Sequence, residues 1–181
     1  RWLRQVHGNR VVVWDDCGNH EPEADAVVSE QAGQVCAVLT ADCMPVLFCN
    51  RAGTRVAAAH AGWRGLAAGV LEATVAAMDC DPTELMAWLG PAIGPTAYEV
   101  GDNFFELFVK LNPSFKAAFK INHGRLFADI YELGRLVLTK IDIDQIWGGQ
   151  FCTYDNSDTL YSFRRNGKTG RMSSVIWMVE S

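Results

Sequence analysis

His7 in "QVHGN", Cys43 in "TADCMP" and His60 in "AAAHAGW" are the residues of this chain best suited to chemistry. Each closes an apolar run, the place where side chains from different strands converge at a sheet edge. Two imidazoles and a thiolate supply three of the four positions of a tetrahedral zinc ion, and an open fourth is what a catalytic metal requires. Such an ion lowers the pKa of bound water from 15.7 toward ~7, which makes hydrolysis or deamination available at neutral pH. Without a metal the same residues form a second arrangement, a Cys43 thiolate with His7 or His60 as its base, as in cysteine hydrolases. Their wide spacing matches no compact zinc-finger pattern. A cysteine in an apolar run is ordinarily plain core, so the residues alone leave all three readings open. His20 in "GNHEP" and His123 in "NHGR" lie among turn formers and read as solvated turn residues.

A second chemical element follows His60. In "AHAGWRG" two glycines frame a turn that leads into a helix, and the free backbone N–H groups at a helix start suit an anion or phosphate. Arg64 in that turn adds a guanidinium fork. The plain alternative is a tight turn with a surface arginine. Asp42, beside Cys43, can orient a ligand or move protons, or be a hydrogen-bonded turn residue.

Short apolar runs must position these groups. Strands are expected at Val11 to Trp14, Ala26 to Ser29, Val35 to Leu39, Val46 to Cys49, Arg55 to Ala59 and Met86 to Leu89, with turn residues from Asp15 to Pro22. Pro45 has no N–H to donate and should break the ladder and bend the chain, placing Asp42 and Cys43 at a strand-end corner. "GWRG" should turn the chain into a helix over Leu66 to Met78. "DPTEL" carries the marks of a helix start, with Asp81 as N-cap, sufficient for one turn. Helices are also expected over Asp102 to Leu111 and Asp129 to Lys140, each N-capped by its first residue. Gln145 to Tyr154 and Met172 to Val179 read as strands joined through "SFRRNGKTGR". The intermixed elements define an α/β or α+β layered domain, a mixed β-sheet flanked by helices. No linker or repeat divides residues 1–181, so one domain is expected.

Composition narrows the setting. The chain has 181 residues, 49% hydrophobic and 20% charged, with a net charge of -5 and its Lys and Arg scattered singly. That excludes the electrostatic footprint of a nucleic-acid binder and a polybasic membrane patch. No apolar run reaches the ~20 residues of a membrane span. The six cysteines lack the close pairs of a zinc ribbon or C-x-x-C motif. They read as reduced thiols of a cytoplasmic protein.

"QVHG", "TADCMPVLFCN" and "AAAHAGWRGLAAGVLEATV" resemble the YfiH-type laccase-domain family, also called polyphenol oxidase or purine nucleoside phosphorylase family proteins. The likeness continues through "WLGPAIGPTAYEVG", "FADIYELGR", "GGQFCTY" and "YSFRRNGKTGRMSSVIWM", nearly the whole chain. It implies a single α/β catalytic domain with a surface cleft in which His7, Cys43 and His60 bind zinc, copper being the alternative. It also implies purine nucleosides and phosphate as small-molecule substrates: members are described as phosphorolysing adenosine, inosine and methylthioadenosine and deaminating adenosine. Others are described as copper-dependent phenol oxidases, and a bacterial member is linked to peptidoglycan editing, for which Cys43 would be nucleophile or ligand. A multicopper site needs more imidazoles than this chain offers. The deaminase H-x-E glutamate is absent after both His7 and His60. Arg164 and Arg165 match the family's C-terminal motif and, with Arg64, are candidates for phosphate or substrate contact. Family members carry some dozens of residues ahead of "QVHG" that this chain does not show. The non-enzymatic alternative is an interaction domain whose metal is structural.

Overall fold

The computed structural model describes residues 2–17 and 21–180, with Asp16 and Cys17 as backbone only; His20 lies outside the described residues. Strand β1 (Val11–Val13), β2 (Ala26–Ser29), β4 (Met44–Asn50), β5 (Val56–Ala61), β6 (Leu85–Leu89) and β9 (Gln145–Gly148) form a six-stranded sheet in the order β1-β2-β5-β4-β6-β9. The outer pairs are parallel and the inner ones antiparallel, so the sheet is mixed as expected. β3 (Cys36–Thr40) and β10 (Met172–Ile176) pair antiparallel as a separate ribbon. β7 (Phe119–Asn122) and β8 (Arg125–Ala128) make a hairpin.

Side chains alternate across a strand, and this period explains the layers. Met44, Val46 and Phe48 of β4 and Ala57, Ala59 and Ala61 of β5 join one apolar cluster with Leu71, Val75 and Met78 of α2 (Val70–Met78) and Leu133, Val137 and Leu138 of α4 (Ile130–Lys140). On the opposite face Val56 and Ala58 pack with Val27 of β2 and with Cys36 and Val38 of the ribbon. All six residues of β5 are therefore buried. His60, two residues beyond Ala58, extends the row that faces the ribbon.

Several expectations change in detail. The helix after β5 starts earlier, at Trp63, so Arg64 stands in its first turn. It stops at Ala68, where Gly69 (φ 85) separates α1 (Trp63–Ala68) from α2. The apolar spacing is continuous across Gly69 and conceals this break. α3 (Asp102–Leu111) is capped by Gly101 and carries Asp102 in its first turn, whereas Asp129 does cap α4, accepting from the N–H groups of Tyr131 and Glu132 at 3.0 and 3.1 Å. Pro45 lies inside β4 at its start, and the bend falls just before it, where the chain leaves the ribbon for the main sheet. The expected strand from Gln145 ends at Gly148, because Gly148 and Gly149, both at φ 81, turn the chain. Between β7 and β8 His123 (φ 48) and Gly124 (φ 74) form the left-handed pair of a type I′ hairpin. "SFRRNGKTGR" contains α5 (Phe163–Asn166), whose cap Ser162 accepts from the Arg165 N–H at 3.1 Å.

Gly148 tests this account. A Cβ there would meet the Leu89 carbonyl oxygen at 2.2 Å on a backbone already at positive φ. Gly148→Ala should lower stability by about 3 kcal/mol or more, from overpacking and backbone strain together. Urea denaturation measures it; a loss under about 1 kcal/mol would contradict the β6–β9 packing.

Candidate metal centre and its cavity

Three separate segments bring the ligand-type residues together. His60 lies near the end of β5, Cys43 precedes β4, and the β4–β5 register, with Pro45 opposite His60 and Met44 opposite Ala61, carries Cys43 to the imidazole. His7 arrives on the N-terminal loop in the left-handed conformation, φ 62. One donor atom from each of His7, Cys43 and His60 lies within 4.8 Å of the other two. The Cys43 Sγ to His7 Nε2 distance is 3.9 Å. Zn–N and Zn–S bonds near 2.0 and 2.3 Å at tetrahedral angles put donors roughly 3.3–3.6 Å apart. The set therefore fits a tetrahedral ion after a small contraction.

Gly62 leaves the space for it. A Cβ at this position would lie 2.9 Å from Cys43 Sγ and 3.1 Å from His7 Cδ2. Its φ of -70 is ordinary, so the glycine is needed for room and not for its backbone freedom.

Behind the donors lies a carboxylate that the sequence reading missed. Asp25, 0% exposed, accepts from His60 Nδ1 at 2.8 Å and from the backbone N–H groups of His7 at 2.9 Å and Gly8 at 2.7 Å. The Val6 N–H adds a longer bond at 3.3 Å. The signal was present in "EADAVVS": a charge at the head of a fully buried strand must find partners.

The electrostatics follow from this packing. Burial works against charge on Asp25, but the His60 hydrogen bond and the Gly8 and His7 amides outweigh it and hold the carboxyl below its usual range. Burial also opposes the Cys43 thiolate, yet hydrogen bonding and charge from His60 and His7 pull the thiol from 9.0 down to about 6. Burial would lower His60, and its bonds to Asp25 and Cys43 push it up instead, to about 9. Without a metal both shifts run toward the charged forms, thiolate for Cys43 and imidazolium for His60.

The three donors line a cavity of about 540 Å³. Arg64 reaches it with its Cζ 4.3 Å from the centre of the Trp63 ring, and among the described residues its guanidinium has no hydrogen bond or ion pair to the protein. Arg164 also lines the cavity, its Nη1 donating to the Glu99 carbonyl at 3.0 Å and its Cζ 5.4 Å from the Tyr98 ring. Tyr98 and Arg171, neither singled out from the sequence, share the wall. Arg165 does not: its guanidinium donates to the carbonyls of Thr153, Tyr154 and Leu160 and ties the C-terminal segment together. Both Asp42 carboxylate oxygens are engaged at 2.6 Å, one by the Thr153 hydroxyl and one by the Arg164 N–H, which makes Asp42 a corner residue at φ 85. The short α1 has little macrodipole to offer, so the anion-binding potential of this turn rests on Arg64.

The fold and the donor set describe an α/β protein with a metal-competent His-Cys-His centre open to a cavity. The chain belongs to the family described as multi-copper polyphenol oxidoreductase laccase, whose pattern matches residues 1–179. It is 53% identical over 179 residues to the purine nucleoside phosphorylase YfiH of Escherichia coli (strain K12), covering 98% of this chain and 73% of that protein. The Pseudomonas aeruginosa purine nucleoside phosphorylase PA4543 is 50% identical with the same coverage. The crystal structure of Neisseria meningitidis protein NMB0706 superposes with a TM-score of 0.96 at 49% identity, covering 99% of this chain and 74% of that one. YlmD from Geobacillus stearothermophilus gives 0.89 at 29% identity, over 99% and 73% of the two chains.

Two measurements probe the centre. Gly62→Ala should cut zinc affinity at least tenfold while the circular dichroism spectrum is retained, since its Cβ occupies the space between two donors; unchanged affinity would refute the crowding. In metal-stripped protein, iodoacetamide alkylation of Cys43, followed by peptide mass spectrometry, should rise with pH to a midpoint near 6. Added zinc should suppress it, and a midpoint above 8 would contradict the thiolate.

Proposed function

We propose that this chain is a zinc-dependent purine nucleoside phosphorylase acting on adenosine, inosine and methylthioadenosine, with accompanying adenosine deaminase activity, working as one catalytic domain over residues 1–181. The observation that carries the reading is the unpaired Arg64 guanidinium in the same cavity as His7, Cys43 and His60. The 53% identity to a protein named for this activity supports it. His7, Cys43 and His60 would hold the ion, which when bound supplies a Lewis acid in the cavity.

The chain's own residues account for substrate handling. Arg64, held over Trp63, presents a fork suited to two phosphate oxygens. In phosphorolysis a phosphate oxygen bonds to the ribosyl C1′ as the bond from C1′ to the purine nitrogen breaks. The bonding pair leaves with the purine, which takes up the proton that the attacking hydrogen phosphate gives up, and ribose 1-phosphate forms. Cationic Arg64 and Arg164 keep the nucleophile in place and favour the polar cavity for an anion. Arg165 is proposed to shape the wall through Thr153, whose hydroxyl in turn holds Asp42.

Copper-dependent phenol oxidation is less well supported by the donors. The chain has four histidines, of which His123 sits in the β7–β8 hairpin, and the described residues contain one His/Cys/Asp/Glu group fit for a metal. A second reading has a specific observation in its favour: Cys43, His60 and Asp25 also line up as nucleophile, base and orienting carboxylate. That order suits an amidase acting on a peptidoglycan precursor. Free thiols at Cys43, Cys49, Cys80 and Cys152 fit a reducing, cytoplasmic setting. Among the described residues no helix is long and apolar enough to cross a membrane.

Adenosine with phosphate should yield adenine and ribose 1-phosphate, and adenosine without phosphate should yield inosine and ammonia, both resolved by liquid chromatography. Zinc removal should abolish both; hydrolysis of a muropeptide precursor that survives chelation would favour the Cys43 nucleophile instead. Arg64→Ala should raise the phosphate KM roughly 10–100-fold, as for a lost charge-assisted contact, with zinc content unchanged. An unaltered phosphate KM would remove Arg64 from the anion site.

A further inference from the structure

Asp25 stands behind the donor set, and its contacts are those of a group that arranges ligands. Its Oδ1 lies 2.8 Å from His60 Nδ1 and 2.9 Å from the backbone nitrogen of His7. Its Oδ2 accepts from Gly8 N at 2.7 Å and Val6 N at 3.3 Å. The same residue's backbone carbonyl accepts from the His60 N–H at 2.7 Å. One aspartate thus touches two of the three ligand-bearing residues.

We propose that Asp25 is the positioning residue of the metal centre, fixing the tautomer of His60 and the backbone of His7 so that both imidazoles present a donor to one ion. The inference rests on the metal-binding reading of His7, Cys43 and His60.

Three physical consequences support it. A carboxylate acceptor at Nδ1 keeps the proton there, and the lone pair is left on Nε2, the nitrogen turned away from Asp25. His7 holds a left-handed backbone (φ 62) that a non-glycine residue adopts at a cost. Convergence of the Val6, His7 and Gly8 amides on one anion offsets that cost, as in an anion-binding nest. Charge agrees as well: a divalent ion with one thiolate and two neutral imidazoles keeps one positive charge, and a carboxylate that is 0% exposed balances it. With a monovalent ion the same group would leave a net negative centre, so Asp25 favours a divalent ion over cuprous copper.

The test combines a variant with a measurement on the unaltered protein. Zinc and cuprous affinities are measured by chelator competition for wild type and Asp25→Asn, and both are loaded with cobalt(II) to record the ligand-field and thiolate charge-transfer bands. Asp25→Asn should lose 10–100-fold in zinc affinity, lose less for cuprous copper, and show altered cobalt bands. Long-range proton–nitrogen correlation spectra of zinc-loaded wild type should show His60 protonated on Nδ1 and coordinated through Nε2. They decide the matter if Asp25→Asn does not fold. Coordination through Nδ1, or a folded variant within threefold of wild type and with unchanged cobalt bands, overturns the inference while the metal reading stands. If wild type itself binds no zinc, the metal reading falls and takes this inference with it.

Discussion

A carboxylate buried at the head of β2 is the constraint around which the rest of the site is organised. An ion of this kind, removed from water, is tolerated only when its oxygens are occupied by donors. Asp25 meets that condition by drawing in the 6–8 loop from one side and the end of β5 from the other. The requirement to satisfy a buried charge and the requirement to assemble a donor set are thus met by the same contacts. That coupling explains why a loop, ordinarily the mobile part of a protein, can hold the candidate ligand His7 in a defined direction.

The sheet supplies the other half of the geometry. β5 is covered on both faces, by α2 on one and the ribbon on the other, and its alanines allow both layers to approach closely. Its register with β4 sets the distance between His60 and the approach to Cys43. The β3-to-β4 corner is held from the C-terminal side: Asp42 accepts from Thr153 and Arg164, and Arg165 gathers the carbonyls around Thr153. Residues far apart in sequence therefore brace one turn. Arg164 is at once a brace, through its backbone N–H, and a cation on the cavity wall.

How much of this was legible in the sequence varies with the range of the interaction that decides it. The strand of "RVAAAHA", the cap at Asp129 and the turn residues His123 and Gly124 follow from local chemistry, whereas the short β7 and β8 strands carry no clear period of their own. The break at Gly69 was hidden because the apolar spacing runs straight across it. Aspartate suits an N-cap by residue type, but Gly101 takes that position and leaves Asp102 in the first turn. Arg164 and Arg165 are neighbours of one residue type, and only packing separates a cavity wall from a carbonyl clamp.

The sequence by itself determined the mixed layered fold, the family and the candidacy of His7, Cys43 and His60. Residue type, apolar period and long motifs carry those independently of how the chain closes. The tertiary structure alone decided that the donors converge within 4.8 Å, that Gly62 clears their space, and that Asp25 stands behind them. Convergence depends on strand register and on the partners of a buried charge, which are contacts between residues distant in the chain. No local pattern encodes them.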